Sequence, residues 1–166
     1  MSDIEFTHIK VPLHRMTFSV EPIRKWVISW CRGRTLNLFA GETILPGVKE
    51  TRNDIRHNMT AEYHQDALEF IAAWKGKPFH TVILDPPYSY RKSMEMYDGA
   101  IQSPFNVLKN RLLTIITKKA RVITFGYHSV VMGRSRGFQR VAILLMSHGG
   151  AIHDTIAVVE KRIEVV

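Results

Sequence analysis

Four consecutive residues carry the groups with the clearest chemical use in the chain: Asp85, Pro86, Pro87 and Tyr88. They follow the apolar run 82–84, which is typical of a buried strand. Proline makes up about 5% of residues in proteins, so a proline pair between an acid and an aromatic ring is uncommon. The prolines fix φ and remove N–H donors, which holds the loop carbonyls rigidly. The stretch predicts a carboxylate, a rigid acceptor and an aromatic face at one strand end; the alternative is a proline-stiffened turn.

Two further acids and a glycine turn follow other short apolar runs. Gly41 ends the run that begins at 35, Asp54 follows a short possible second strand, and Asp66 ends a third one in YHQDALEF. Ligands bind at the carboxyl ends of strands in open α/β sheets, so these groups are expected to border one crevice. Glycine lets the backbone approach a ligand, and an acid after the second strand can bind a ribose hydroxyl pair. Asp66 also suits the N-cap of the helix that follows it.

The elements that must position these groups alternate between strands and helices. Uninterrupted apolar runs predict strands buried on both faces at 35–39, 80–85, 121–125, 141–146 and 155–159. Helical spacing predicts helices at 22–31, 67–74 and 103–117. The alternation predicts an α/β fold with a mostly parallel, doubly wound sheet. Because no helix separates the last two runs, they are expected to pair antiparallel at an edge.

Length and charge limit the class of protein. The chain has 166 residues, which predicts one domain over 1–166 whose first fifteen residues form an arm. The net charge of +8 and a pI near 9.8 predict a polyanionic partner such as nucleic acid. Solubility alone is the alternative reason for such a charge.

Cysteine and hydropathy argue against several other classes. Cys31 is the sole cysteine, which excludes an intrachain disulfide and disfavours a cysteine zinc site; the histidines are scattered, so no metal is expected. No apolar run approaches the length of a membrane span, and residues 1–15 do not resemble a signal peptide. A cytoplasmic location away from membranes is expected.

The three motifs LNLFAGETIL, QDAL and DPPY, in this order, resemble those of S-adenosylmethionine-dependent amino-methyltransferases, which methylate exocyclic amines of bases. The resemblance covers about residues 16 to 160. It implies a Rossmann-like methyltransferase fold and S-adenosylmethionine as cofactor. In this family the aspartate form of the last motif is commoner in enzymes for adenine N6, so the resemblance implies methylation of adenine in DNA.

The resemblance also implies how the last motif works. Asp85 and the Pro86 carbonyl would accept hydrogen bonds from both N–H groups of the adenine amine and so favour a tetrahedral, nucleophilic nitrogen. Tyr88 would stack on the flipped base, which is worth about 1–3 kcal/mol and offsets part of the cost of extracting it. The sulfonium is already activated, so direct transfer needs positioning more than acid–base chemistry.

The cofactor site follows from the same resemblance. Residues implied to contact the cofactor are Phe39, Ala40 and Gly41 along its side, Asp54 at the ribose, Asp66 with the Ala67 and Leu68 backbone at the adenine, and Phe18 and Ser19 at the methionine end. The chain departs from the family at Asn37, where an acid is usual, and at Glu42, where a second glycine is usual. Glu42 is expected to contact the methionine amino group instead. The short stretch between Gly41 and Asp54 predicts that the first helix is shortened or missing.

Two basic loops are expected to bind the nucleic acid, since the chain has no room for a separate recognition domain. Loop 89–102 carries Arg91 and Lys92, and loop 126–140 carries Arg134, Arg136 and Arg140. Phosphate contacts would dominate their affinity; a solvated charged loop is the alternative. So small a reader predicts a short DNA target, read by a homodimer, and a prokaryotic or viral source.

Other functions remain open on the sequence alone. The nearest keep the chemistry and change the substrate to RNA adenine N6 or DNA cytosine N4. A nucleic-acid-binding module that has lost catalysis is favoured by the altered first motif and disfavoured by the intact DPPY. Methylation of a protein glutamine uses a similar motif that begins with asparagine, so Asp85 argues against it.

Overall fold

One mixed sheet organises the chain in the computed structural model, which describes residues 3–86, 104–150 and 152–163. The strands among these residues are β1 (Glu5–Lys10), β2 (Thr35–Asn37), β3 (Glu50–Arg52), β4 (Phe79–Leu84), β5 (Ile116–Gly126), β6 (Phe138–Ser147) and β7 (Thr155–Arg162). The helices are α1 (Glu21–Trp30), α2 (Ala67–Ala73) and α3 (Pro104–Leu112), with short 3₁₀ turns at Thr17–Ser19 and Arg134–Arg136. The predicted alternation of strands and helices is confirmed.

The strands lie in the order β1-β6-β7-β5-β4-β2-β3. All neighbouring pairs are parallel except those that β7 makes with β5 and β6, which are antiparallel. The mostly parallel sheet with one antiparallel strand is therefore confirmed. The antiparallel strand lies inside the sheet rather than at an edge, because β6 and β1 extend the sheet beyond it.

The amino-terminal segment differs from the expected arm. Its residues 5–10 form β1, which pairs in parallel register with β6 from Glu5–Ala142 to Lys10–Ser147. As an edge strand β1 buries one face only: Thr7 and Ile9 are half-buried, while their neighbours are exposed. Such a strand alternates instead of forming an apolar run, so the pattern used for the buried strands did not reveal it.

The core lies on both faces of the sheet. Val82 and Leu84 of β4 pack in one cluster with α2 and α3, while Ile83 packs in the other with α1. Successive strand side chains point to opposite faces, so the uninterrupted apolar run of β4 serves both clusters. Cys31 packs beside the α1 cluster, and burial raises the pKa of its thiol to about 12. The thiol is therefore protonated and packs as a small apolar group.

Two element boundaries differ from the sequence prediction. The helix expected at 103–117 ends at Leu112, and β5 begins at Ile116 rather than at 121. The β-branched residues at 114–116 favour the extended backbone over another helical turn. The strand expected before Asp66 reduces to one bridge between Asn53 and Tyr63.

The connection from β2 to β3 contains no helix over its described residues 41–49, as the short spacing predicted. It runs through a turn at Pro46–Gly47 instead. Asp66 caps α2, whose Leu68 and Glu69 N–H groups donate to its Oδ1. None of the described helices is long and apolar enough to cross a bilayer.

Candidate functional site

A cavity of about 940 Å³ opens at the carboxyl ends of β2 and β4. Its wall is built from the segments 38–43, 53–56, 65–67 and 85–86, and from residues 12–18, Val20 and Ile23 at the approach to and start of α1. Met146, His148 and Thr155 of the β6–β7 end close its other side. The cavity therefore lies where open α/β sheets bind their ligands.

Most of the predicted cofactor and catalytic residues meet at this cavity. Those that line it are Phe18, Phe39, Ala40, Gly41, Glu42, Asp54, Asp66, Ala67, Asp85 and Pro86. Pro87, Tyr88, Arg91 and Lys92 lie outside the described residues. Three separate chain segments thus bring their acids to one wall, which the order of strand ends had predicted.

Three predicted residues do not line the cavity. Asn37 is fully buried in β2 and donates from Nδ2 to Glu50 Oε1 at 3.0 Å, so it lies behind the cavity wall. Ser19 donates from Oγ to the Met16 carbonyl at 2.7 Å. The Leu68 N–H donates to Asp66 at 2.8 Å. These residues lie behind or beside the wall, and their contact with a cofactor, which the sequence predicts, stays a prediction.

Gly41 stands where the wall turns away from β2. Its φ is +60°, a conformation that glycine adopts without strain. A Cβ built there would have Met16 Sδ at 3.7 Å as its nearest contact, so backbone geometry rather than crowding requires the glycine. The predicted glycine turn is confirmed, and the missing side chain at Gly41 lets the backbone pass close along the cavity.

Asp54 joins two parts of the wall through a buried carboxylate. Its Oδ2 accepts from the Gly41 N–H at 2.9 Å, and the Arg56 guanidinium donates to both oxygens at 3.0 Å. Burial raises the pKa of Asp54, but the hydrogen bonds from Arg56 and Gly41 outweigh it and hold the pKa below 3.8. The carboxylate is ionised at neutral pH and already engaged by protein donors.

The Arg56–Asp54 pair makes acid stability sensitive to one substitution. Because the folded pKa of Asp54 is depressed, its contribution to the free energy of unfolding is present above 3.8 and is lost as pH falls through the folded value. We expect Arg56→Gln to raise the pKa of Asp54 and to move the acid-unfolding midpoint to higher pH. Carboxyl NMR titration and circular dichroism measure the two effects. An unchanged Asp54 pKa would mean that the Arg56 bonds do not set it.

Arg52 is the most densely bonded side chain of the wall, and the sequence did not reveal it. Its guanidinium donates to the carbonyls of Ala40 at 3.1 Å, Gly41 at 3.0 Å, Thr43 at 2.8 Å and Thr60 at 2.7 Å. It also pairs with Glu50 at 3.1 Å, and both side chains are at most 5% exposed. The other Glu50 oxygen accepts from the Leu45 N–H at 2.8 Å.

The Arg52 guanidinium supplies the hydrogen-bond donors that a helix would otherwise supply to these carbonyls. Carbonyls in a helix accept from N–H groups four residues on, whereas the loop 40–43 has no helix to supply such donors. Arg52 supplies them from one rigid, planar fork. The shape of the wall beside Gly41 is therefore fixed by a side chain from β3.

His148 and Thr155 were also missed by the sequence. His148 Nδ1 donates to the Val11 carbonyl at 3.0 Å, so its Nε2 accepts from the Thr155 hydroxyl at 2.8 Å. The pair ties the chain after β1 to the start of β7 at the cavity. A single histidine before a glycine pair carries no periodic signal, which explains why the pattern did not indicate it.

The acid of the DPPY stretch lies at the end of β4. Asp85 is half-buried and Pro86 is buried, and both line the cavity beside Ala40 and Asp66. The strand that carries them is in register with β5 up to Leu84–Thr124, so the position of Asp85 is set by the sheet. Among the described residues no three histidine, cysteine or acidic side chains are grouped as a metal site.

The basic loop before β6 lies at the other end of the sheet. Glu160 accepts from the N–H groups of Val131, Met132 and Gly133 at 3.0, 2.6 and 2.9 Å, which draws the loop back along β7. Arg134 and Arg136 therefore lie near the amino end of β6, away from the cavity, and Arg140 donates to the Ser129 carbonyl at 2.7 Å. Their predicted binding of nucleic acid stays a prediction.

Comparison with solved structures identifies the fold. No protein-family model and no curated protein matches the chain. TrmN from Thermus thermophilus superposes with a TM-score of 0.60 at 11% identity, over 85% of this chain and 48% of that one, so the chain spans about half of its length. The N-methyltransferase NodS from Bradyrhizobium japonicum superposes at 0.58 and 11% identity, over 90% and 92% of the two chains.

A third superposed structure is a complex with a ligand. The tRNA (uracil-54, C5)-methyltransferase of Pyrococcus abyssi, in complex with S-adenosyl-L-homocysteine, superposes at 0.52 and 16% identity, over 84% of this chain and 37% of that one. At identities this low, the superpositions establish the fold alone. The chain has the Rossmann-like fold of the methyltransferases.

Proposed function

We propose that the chain transfers a methyl group from S-adenosylmethionine to the exocyclic N6 amine of adenine in DNA. The observation that supports this most is the position of Asp85 and Pro86, on the wall of the same cavity as the Gly41 turn. An acceptor pair for an amine and a glycine turn that a cofactor can approach closely thus meet in one space. The structural neighbours support methyl transfer as the class of reaction.

The cavity suits the proposed cofactor in size and lining. Its volume of about 940 Å³ is within the range of about 300–1,000 Å³ that is usual for ligand pockets. Phe18 and Phe39 offer apolar surface, and Gly41 lets the backbone approach. Asp66 and Glu42 present carboxylates that can accept from the adenine and methionine amines respectively.

Asp54 fits its proposed role only after a local change. Both of its oxygens accept from Arg56, so a ribose hydroxyl pair would have to replace those bonds. The Arg56 side chain is 46% exposed and can move into solvent, whereas the Gly41 N–H bond can remain. Ribose binding at Asp54 is therefore expected to release Arg56 from the wall.

The residues of the site supply positioning. The cofactor, when bound, supplies an activated methyl group on sulfur. Asp85 and the Pro86 carbonyl would accept hydrogen bonds from the two amine N–H groups, which orients the nitrogen lone pair toward the cavity. The N–C bond forms as the S–C bond breaks, and the one proton that the nitrogen then loses passes to Asp85 or to water. Burial of Pro86 and the register of β4 fix these acceptors before the substrate arrives, so little reorganisation is needed. A base must leave its stack to reach them.

RNA adenine is the second candidate substrate. One specific observation favours it: a structural neighbour is described as a tRNA methyltransferase. The chemistry at Asp85 would be unchanged, since the exocyclic amine of adenine is the same in both nucleic acids. Cytosine N4 in DNA presents a similar amine, and a module that only binds nucleic acid would keep the charge without the transfer.

Label transfer to a set of nucleic acids separates these candidates. The wild-type chain is incubated with methyl-labelled S-adenosylmethionine and duplex DNA, single-stranded DNA or RNA, and the nucleosides are resolved by chromatography. We expect label in duplex DNA as N6-methyladenine. Label as N6-methyladenine in RNA alone would identify RNA rather than DNA as the substrate. Label as N4-methylcytosine would identify cytosine rather than adenine as the methylated base. Binding of nucleic acid without any transfer would support the binding module.

A further inference from the structure

Cations lie at the amino ends of the strands, at the end of the sheet opposite the cavity. Lys49 precedes β3, Lys118 and Lys119 are the third and fourth residues of β5, and Arg134 precedes β6; these four are exposed. Arg34 precedes β2, is half-buried and donates to the Pro78 carbonyl. These five residues are called the basic edge. From β3 to β6 the sheet crosses five strand gaps, so the basic edge extends over about 24 Å at about 4.8 Å per gap.

The basic edge has no acidic counterpart in the described part of the chain. The described ion pairs join Lys25 to Glu21, Arg52 to Glu50 and Arg56 to Asp54, and none of them involves a residue of the basic edge. A second cavity, of about 480 Å³, opens at this end. Arg32, Arg34, Lys49 and His80 line it without any carboxylate.

Helix ends account for only part of this charge. The three helices end at this side of the sheet, and cations near helix C-termini are stabilising. Arg32 does this directly, since its Nη1 donates to the Ser29 and Cys31 carbonyls at 2.8 and 2.7 Å. Lys49, Lys118, Lys119 and Arg134 make no side-chain hydrogen bond within the described residues, so their charges are in excess of what the helices use.

The carboxylates collect at the other end of the molecule. Glu42, Asp54, Asp66 and Asp85 line the first cavity. The first cavity thus mixes these four carboxylates with Arg15 and Arg56, whereas the basic edge and the second cavity present cations without a lining carboxylate. The basic edge is therefore better suited to a polyanion than the rim of the first cavity. Membrane-binding surfaces mix basic with apolar side chains. The exposed Leu13, Ile55 and Ile152 line the first cavity, whereas Val130 and Ile163 are exposed beside the amino end of β6, so vesicle binding is one arm of the test below.

We propose that the basic edge binds the phosphate backbone of a nucleic acid, as a contact separate from the cavity that binds the reacting base. The inference deepens the proposed function, on which its choice of a nucleic acid rests. The six residues of β4 separate the two ends, which is about 20 Å at about 3.3 Å per residue. A nucleic acid that reaches both must extend over at least that distance, and a short oligonucleotide reaches only one.

A charge-reversal pair tests the proposal. Lys118→Glu/Lys119→Glu is compared with Lys10→Glu/Lys25→Glu, which changes the net charge equally at exposed positions away from the basic edge. Binding of 30-nucleotide RNA, single-stranded DNA and duplex DNA is measured by fluorescence anisotropy over a range of salt concentrations.

We expect Lys118→Glu/Lys119→Glu to bind about 10-fold more weakly than wild type at low salt. Its slope of log K against log salt should fall by about 1.4 for single strands, since each lost phosphate contact is worth about 0.7. The control variant should keep the wild-type slope.

The outcomes separate this inference from the proposed function. Transfer of methyl label to a trinucleotide, which extends over only about 10 Å at about 3.4 Å per nucleotide, should be the same in wild type and in Lys118→Glu/Lys119→Glu. Nucleic-acid binding that depends on the basic edge, without methyl transfer by the wild type, would keep the inference and remove the function. The inference would be overturned if the two variants lost nucleic-acid affinity equally or if neither lost any. It would also be overturned if the wild type bound phosphatidylserine vesicles but not nucleic acid.

Discussion

Asp85→Asn is expected to lower kcat for methyl transfer by about 100- to 1,000-fold, the usual cost of removing one preorganised hydrogen-bonding group from an active site. The asparagine keeps the size of the side chain but replaces one acceptor oxygen with an NH₂ donor. That donor would face the amine protons that the carboxylate accepts. Because Asp85 is half-buried at a strand end, the side chain has little freedom to turn the donor away.

The measurement is single-turnover label transfer, with S-adenosylhomocysteine affinity followed by calorimetry. Cofactor affinity should stay near the wild-type value, since Asp85 is assigned to the base, so the loss should appear in the transfer step. Asp154→Asn is the matched control, because it neutralises an exposed acid near the cavity that has no assigned role. Wild-type transfer by Asp85→Asn would show that DPPY is only a proline-stiffened turn.

Arg52→Met is expected to lower the free energy of unfolding by about 3–5 kcal/mol, because it leaves Glu50 buried without its partner. It also removes the donors that hold the Ala40, Gly41 and Thr43 carbonyls. Arg52→Lys should cost less, because an ammonium can still pair with Glu50 but cannot reproduce the planar fork. Both variants are expected to bind S-adenosylhomocysteine more weakly than wild type.

Amide hydrogen exchange distinguishes local opening of the loop 40–45 from a lower global stability. The amides of Ala40, Gly41 and Leu45 are bonded to Asn53, Asp54 and Glu50, so their exchange reports opening of the cavity wall. Leu108→Ala is the control, because it truncates a fully buried side chain of α3 at a cost of about 2–5 kcal/mol. At matched stability, Arg52→Lys should expose the loop 40–45 and the control should not. Equal protection in the two variants would contradict the role of Arg52 in shaping the wall.

The sheet and the place of Asp85 could be predicted because their signals are local. The run before Asp85 is apolar throughout, since β4 is buried on both faces, and the prolines end it at once. β1 was not predicted, because an edge strand with one exposed face alternates between half-buried and exposed residues instead of forming an apolar run. Apolar runs therefore indicate strands that are buried on both faces more clearly than strands that are buried on one.

The support of the site could not be predicted because it depends on distant partners. Arg52 reaches carbonyls 9 to 12 residues away in a loop that lacks the usual helix. Glu160 sets the path of the basic loop by accepting from residues 27 to 29 positions earlier, which moves Arg134 to the far end of the sheet. A charged residue in a short strand carries no sign of such a partner, so only the folded geometry shows it.

Binding of S-adenosylhomocysteine to the wild-type chain tests the central claim most directly, because every proposed role depends on a cofactor beside Gly41. Isothermal titration calorimetry gives the stoichiometry and affinity without a nucleic-acid substrate. One site per chain, with chemical shift changes in the backbone of residues 39–42 and 66–67, is the predicted result. Absence of binding at millimolar concentration in a folded chain would contradict the account and leave a methyltransferase fold without its cofactor.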